Sequence, residues 1–136
     1  AISFYDQIDV FIAAAAVGDW QFPNKSLEKI KKSDEPLHVC LMPTPDILRG
    51  FSQLRKKNRL PLLVGFALET RIGLDGARSK LERKNLDMIV ANRPLSLASE
   101  KTRCVILDRF GGIGRTPLVS KEVAARKILN SIEKIF

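Results

Sequence analysis

The chain has a single histidine and two cysteines in 136 residues, and the cysteines form no C-x-x-C pair. His38 and Cys40 lie close together and Cys104 lies far away, so the nitrogen and sulfur ligands of a structural zinc site are missing. Each cysteine falls in a strand-like apolar run, which leads us to expect two buried, reduced thiols in a cytoplasmic protein. No apolar run approaches the roughly 20 residues needed to cross a bilayer, which argues against a membrane protein. The first residues, AISFYDQID, place no basic region ahead of an apolar stretch and do not read as a signal peptide. They read as the last turn of a helix entering a strand, and an upstream portion is expected. A G-x-G-x-x-G loop is absent. The stretch Gly111-Gly112-Ile113-Gly114 lacks the Lys-Ser/Thr of a P-loop and reads as a turn. Aromatic residues make up 7%, mostly phenylalanines inside apolar runs. The basic surface interleaved with aromatics that marks a nucleic-acid binder is therefore not evident.

Acidic residues are also in deficit, with 23 Lys+Arg against 15 Asp+Glu for a net charge of +8. That balance favours anionic partners: nucleotides, phosphorylated metabolites or nucleic acid. The length is that of a single domain, residues 1–136, large enough for one real core.

Strand-length apolar runs alternate with helix-period segments. Asp9 to Ala16 (DVFIAAAA) and Leu60 to Leu68 (LPLLVGFAL) read as strands buried on both faces, with Leu37 to Met42, Asp87 to Asn92 and RCVILD as further strands. A helix is expected after Thr44 as N-cap, with Pro45 at its first position and the charges of Arg55, Lys56 and Lys57 at its end. A second helix spans Leu74 to Asn85, and a third runs from Lys121 to Ile135 behind Ser120. RFGGIGRTP has the composition of a hairpin turn. This alternation predicts an α/β, Rossmann-like three-layer fold, mainly parallel, with a C-terminal antiparallel hairpin and a closing helix. Ligands of such sheets sit beyond the carboxyl ends of the strands.

Several residues fall at those ends. The small residues of AAAAVGDW let a flat ligand approach the backbone, and Asp19 can accept from sugar hydroxyls or help hold a metal; tight packing with Asp19 in a turn explains them equally well. Lys29-Ile30-Lys31-Lys32 offers point charges suited to a pyrophosphate, or a solvated charged face. Phe66 can stack on a base or fill the core. Lys80 and Lys84, spaced i, i+4, share one helix face. Asn92 can read a polar ligand group or cap a turn. Ser26-x-x-Lys29 matches S-x-x-K, but the companion motifs of serine acyl-enzymes are absent.

Taken in order, these pieces resemble the phosphopantothenate–cysteine ligase family, usually the C-terminal half of a bifunctional flavoprotein of coenzyme A synthesis. The matching blocks are AAAVGDW, Lys29-Ile30-Lys31-Lys32, Thr44 to Leu48, VGFALET, Ala77-x-x-Lys80-Leu-x-x-Lys84-x-x-Asp87 and Val90-Ala91-Asn92. The resemblance implies activation of the carboxylate of 4′-phosphopantothenate by CTP, with Mg²⁺, as an acyl-cytidylate, and then attack by the amine of cysteine. Lys29 would act on the acyl-cytidylate. Ala15, Asp19, Lys29, Pro45, Asp46, Ile47, Leu48, Phe66, Lys80 and Lys84 would bind the nucleotide, and Asn92 is a weaker substrate or loop candidate. No metal ligand is assigned, and FMN would enter only with a decarboxylase domain upstream.

The sequence departs from the pattern at Gly18 and Leu68, and in the loop RPLSLASEKTR, which lacks an expected phenylalanine and asparagine. The family's N-terminal part, with its glycine-rich phosphate loop, is not in the chain, which leaves open whether the chain turns over by itself. The resemblance also implies a homodimer, formed around Phe110 to Leu118. The alternatives are a non-catalytic nucleotide- or nucleic-acid-binding module and a purely structural domain.

Overall fold

The computed structural model describes residues 2–15, 17–24, 28–32, 34–55, 60–68, 74–92 and 99–136. The chain divides into two compact units, Ala1–Ala14 with Ile47–Phe136, and Ala15–Asp46. In chain order, a 3₁₀ helix (Ile2–Gln7) leads into β1 (Val10–Ala13). The smaller unit contributes β2 (Trp20–Gln21) and β3 (Met42–Pro43). The larger unit resumes with α1 (Ile47–Leu54), β4 (Leu62–Leu68), α2 (Leu74–Arg83) and β5 (Met88–Asn92). It ends with β6 (Lys101–Thr102), β7 (Cys104–Asp108), β8 (Ile113–Arg115), β9 (Val119–Ser120) and α3 (Lys121–Glu133).

The larger unit is built on a five-stranded sheet of order β1-β4-β5-β7-β8. β1, β4 and β5 run parallel, and β7 and β8 are antiparallel additions at one side. Alternation along each strand sorts the side chains onto two faces. Leu63 and Ala67 of β4, Ile89 and Ala91 of β5, and Val105 and Leu107 of β7 pack with Phe51 of α1 and Ala77 and Leu81 of α2. Leu62, Val64, Met88, Val90, Cys104 and Ile106 point the other way and are covered by Ala124, Ile128 and Ile132 of α3. The three expected layers are therefore α1 and α2, the sheet, and α3. The β7–β8 hairpin turns through Gly111 at φ 89, and the Asp108 carboxylate accepts from the Phe110 and Gly112 N–H groups at 2.8 and 2.9 Å.

Helix ends follow local chemistry. Ser120 caps α3 through a hydroxyl that accepts from the Val123 N–H at 3.3 Å. α2 stops earlier than the expected Asn85 because Asn85 takes φ 50. The Leu86 N–H bonds to Leu81 O at 2.9 Å and the Asn85 N–H to Glu82 O at 3.0 Å, the pair of bonds that ends a helix on a left-handed residue. α1 begins at Ile47, later than its expected first position at Pro45.

In the smaller unit the expected strand Leu37 to Met42 shrinks to Met42–Pro43, paired with Trp20–Gln21. Leu37, Val39 and Leu41 are exposed. A strand needs a partner edge for its backbone groups, and the two residues of β2 supply very little of one. Cys40 is exposed as a result. The expectation of two buried thiols holds only for Cys104; both cysteines are free.

Candidate functional site

Within the smaller unit, short local hydrogen bonds fix the strand-end candidates. The Val17 N–H bonds to Ala15 O at 3.0 Å, and the Thr44 N–H donates to Asp19 O at 2.9 Å. The Thr44 hydroxyl donates to Gly18 O, so it is engaged with the backbone of the GDW segment. Asp19 is thereby tied to the residue that precedes Pro45 and Asp46. Ala15, Asp19, Pro45 and Asp46 are all exposed, as are Lys29, Lys31 and Lys32. Ser26 of the S-x-x-K match lies outside the described residues.

Within the larger unit, Phe66 is half-buried near the carboxyl end of β4, opposite Val90 of β5. Asn92 ends β5 opposite Leu68. Both line a cleft of about 280 Å³ on the α3 face, whose walls include Ala14, Val90, Thr102, Cys104, Lys121 and Ala124. The structure thus brings Phe66 and Asn92 together. It does not bring Lys80 and Lys84 to them. α2 packs on the opposite face through Ala77 and Leu81, and a helix joining two parallel strands runs back against them. Lys80 and Lys84 therefore sit where the chain is about to enter β5. Glu69 lies outside the described residues.

The segment that resembles the cytosine end of the family site divides in two. Ile47 is exposed, whereas Leu48 packs against the core. A Cβ built on Gly65 would meet Leu86 Cδ1 at 2.7 Å and Leu48 Cδ1 at 3.3 Å. Gly65 is therefore small to admit core leucines.

Sequence reasoning missed two features. Asp87 is fully buried and pairs with both Arg55 and Arg109, and its Oδ2 accepts from the Leu63 N–H at 2.8 Å. Arg55 also donates to Pro61 O and Asn85 O. No local pattern announces this junction, because its members come from three separate segments. The second feature is the Thr102, Cys104 and Lys121 wall of the cleft. Its one sequence signal is a lysine in the first turn of a helix, where the dipole favours the opposite charge.

Among the described residues no group of three or more His, Cys, Asp or Glu could hold a metal ion. Asp19, a single exposed carboxylate, fits Mg²⁺ only as an ion held largely by substrate phosphates. No helix among the described residues is long and apolar enough to cross a membrane.

Comparison with known proteins bears on this arrangement. The family model described as DNA/pantothenate metabolism flavoprotein C-terminal domain matches residues 1–136. A prokaryotic protein named cysteine/cysteine sulfinic acid decarboxylase is 40% identical over 140 residues, covering 97% of this chain and 38% of its own length. The coenzyme A biosynthesis bifunctional protein CoaBC of Vibrio cholerae is 38% identical over 131 residues, covering 92% of this chain and 32% of its own. The chain thus spans well under half of these relatives. The crystal structure of the C-terminal domain of a CoaBC protein superimposes with a TM-score of 0.76 at 31% identity, covering 98% of this chain and 58% of that one. The crystal structure of the DNA/pantothenate metabolism flavoprotein from Streptococcus pneumoniae shares the fold at a TM-score of 0.69 and 22% identity, covering 98% of this chain and 65% of that one. The chain belongs to the DNA/pantothenate metabolism flavoprotein C-terminal domain family, and it is homologous to the C-terminal, phosphopantothenate–cysteine ligase part of CoaBC.

Proposed function

We propose that this chain is the CTP-binding part of a phosphopantothenate–cysteine ligase acting in coenzyme A biosynthesis in the cytoplasm. The observation that carries the reading is the match to the CoaBC C-terminal domain over 98% of the chain, joined to the Lys29-Ile30-Lys31-Lys32 block on an exposed segment of a chain of net charge +8.

In this reading a carboxylate oxygen of 4′-phosphopantothenate attacks the α-phosphorus of CTP and pyrophosphate leaves. The amine of cysteine then attacks the acyl carbon, forming the amide and releasing CMP. The chemistry needs charge stabilisation on the triphosphate and the leaving pyrophosphate more than it needs a covalent nucleophile. Lys29 supplies a donor to phosphate oxygens, and Asp19 accepts from the ribose. Ala15 and the Pro45, Asp46, Ile47 and Leu48 backbone border the nucleotide, and Phe66 packs beside the base. Lys80 and Lys84 strengthen the local positive field, and Asn92 offers an amide at the end of β5. Mg²⁺, carried on the phosphates, supplies Lewis-acid charge when bound. FMN belongs to this reaction sequence only through a separate decarboxylase domain.

The test is thermal stabilisation of the chain by CTP. A ligand that binds only the folded state raises the melting temperature with its concentration. CTP is expected to stabilise the chain, Lys29→Gln and Asp19→Ala to remove the effect, and oligonucleotides not to reproduce it. A second reading, a non-catalytic nucleotide- or nucleic-acid-binding module, draws on the net charge of +8. Indifference to CTP with tight, salt-sensitive binding of DNA would establish that reading instead.

A further inference from the structure

Strand register gathers four cations at the carboxyl end of β5 that no motif places together. β7 lies antiparallel on β5 with Cys104 opposite Asn92, so Arg103 stands just past the end of β5. β8 returns along β7 with Arg115 opposite Val105. On the short β6–β9 ladder Lys101 is opposite Ser120, and Ser120 leads into Lys121, the first residue of α3. The Lys121 N–H bonds to Glu100 O at 3.1 Å. Lys101, Arg103, Arg115 and Lys121 are all exposed, and among the described residues none of them makes an ion pair. Glu122, in the first turn of α3, is held by Arg126 at 3.0 Å. Glu100 is then the one carboxylate left to oppose these four on the same elements.

The fold gains nothing from this arrangement. Like charges gathered at one edge repel, and a lysine in the first turn of α3 opposes the helix dipole. At the other end of the sheet the arginines are treated differently, since Asp87 neutralises both Arg55 and Arg109. What the unpaired cations share is a neighbour. Lys121 lines the cleft of about 280 Å³ on the α3 face, as does Cys104, the residue after Arg103, and Phe66, Val90 and Ile128 supply apolar wall. Charge of one sign around a cleft with low-dielectric walls focuses the field into it, and speeds the arrival of oppositely charged ligands by about 10-fold to 1,000-fold. The field reaches about 10 Å at 0.1 M salt, so a cation need not touch the ligand to act.

We infer that Lys101, Arg103, Arg115 and Lys121 form an electrostatic guide that draws a multiply charged phosphate ester to the carboxyl-end cleft. Lys101, Arg103 and Arg115 act on its approach and not on the bound state. The inference rests on the nucleotide reading for the identity of the ligand, a nucleoside triphosphate, and adds the residues that set its rate of capture.

The test is stopped-flow association and release of a fluorescent CTP analogue with the whole chain, at low and at high salt. The triple variant Lys101→Gln, Arg103→Gln, Arg115→Gln is expected to associate about tenfold more slowly at low salt, with release unchanged. At high salt it is expected to match the unsubstituted chain. A fluorescent CMP analogue, which carries less charge, is expected to show a smaller loss. Association that the variant does not slow would overturn the inference. So would an effect confined to release, which marks direct contact. Failure of the CTP analogue to bind at all would sink the nucleotide reading, and tripolyphosphate then decides the guide by itself. NMR shifts of amides around Lys101 and Lys121 that the triple variant loses would support it; shifts that are absent or lie elsewhere would overturn it.

Discussion

Arg55 and Asp87 form a buried ion pair in which the side chains are 4% and 0% exposed. Arg55 follows α1, and Asp87 directly precedes β5. Arg109, from the turn after β7, completes the junction on the other carboxylate oxygen, and its backbone N–H bonds to Asp87 O at 2.9 Å. One carboxylate thus ties together the entrances of β4 and β5 and the β7–β8 turn.

Breaking a buried pair from one side leaves an uncompensated charge, which is the costly outcome. Asp87→Ala is expected to lower unfolding stability by about 3–5 kcal/mol in urea titrations, by stranding two guanidinium groups. Arg55→Ala is expected to cost less, because Arg109 and the Leu63 N–H still serve the carboxylate. A double-mutant cycle of Arg55→Ala and Asp87→Ala should show strong coupling, and additive effects would refute the junction.

The lysines of the candidate site should separate into two classes. Lys29→Gln removes a proposed phosphate contact and is expected to weaken CTP binding at least about tenfold. Lys80 and Lys84 lie on the layer opposite Phe66, and we propose that they act on the nucleotide through their field. Lys80→Gln and Lys84→Gln are each expected to weaken CTP binding about twofold to threefold at low salt, and the effect should fade as ionic strength rises. Titration calorimetry at two salt concentrations checks this. Equal, salt-resistant losses at all three positions would show that the α2 lysines touch the phosphates directly.

Thiol reactivity should follow the unequal burial of the cysteines. Cys40 is exposed and Cys104 is buried, with its backbone N–H held by the Thr116 hydroxyl at 2.8 Å. A chromogenic disulfide reagent is expected to titrate one thiol rapidly in the native chain and the second only on unfolding. Cys40→Ser should abolish the fast phase.

Phe110, Ile113 and Leu118 are exposed apolar residues on or just after the β7–β8 hairpin. A homodimer through this hairpin, which we propose, would cover them. Phe110→Ser with Leu118→Ser is expected to convert a dimer into a monomer in sedimentation velocity. A dimer that survives both changes would locate its interface elsewhere.

Much of this molecule could be read from local pattern. The apolar runs of β4, β5 and β7 are buried as continuous strands, because a sheet covered on both faces needs no polar alternation. Ser120 caps α3 as its position suggested. Pattern failed where a segment depends on a remote partner. Leu37 to Leu41 has strand composition yet stays outside the sheets, and Gly65 lies against Leu48 and Leu86, neighbours that no local pattern names. Arg55 looked like a charge closing a helix and is instead bound to a carboxylate from a different segment.

The class of fold, the order of its main helices and central strands, and the family were legible in local pattern, because hydrophobic periodicity and motif spacing are carried by consecutive residues. The face that each candidate occupies came from the folded chain: Phe66 and Asn92 together on the α3 side, Lys80 and Lys84 on the other. Those placements depend on strand register and crossover handedness, which come from packing between segments far apart in the chain and leave no mark in any short stretch of it.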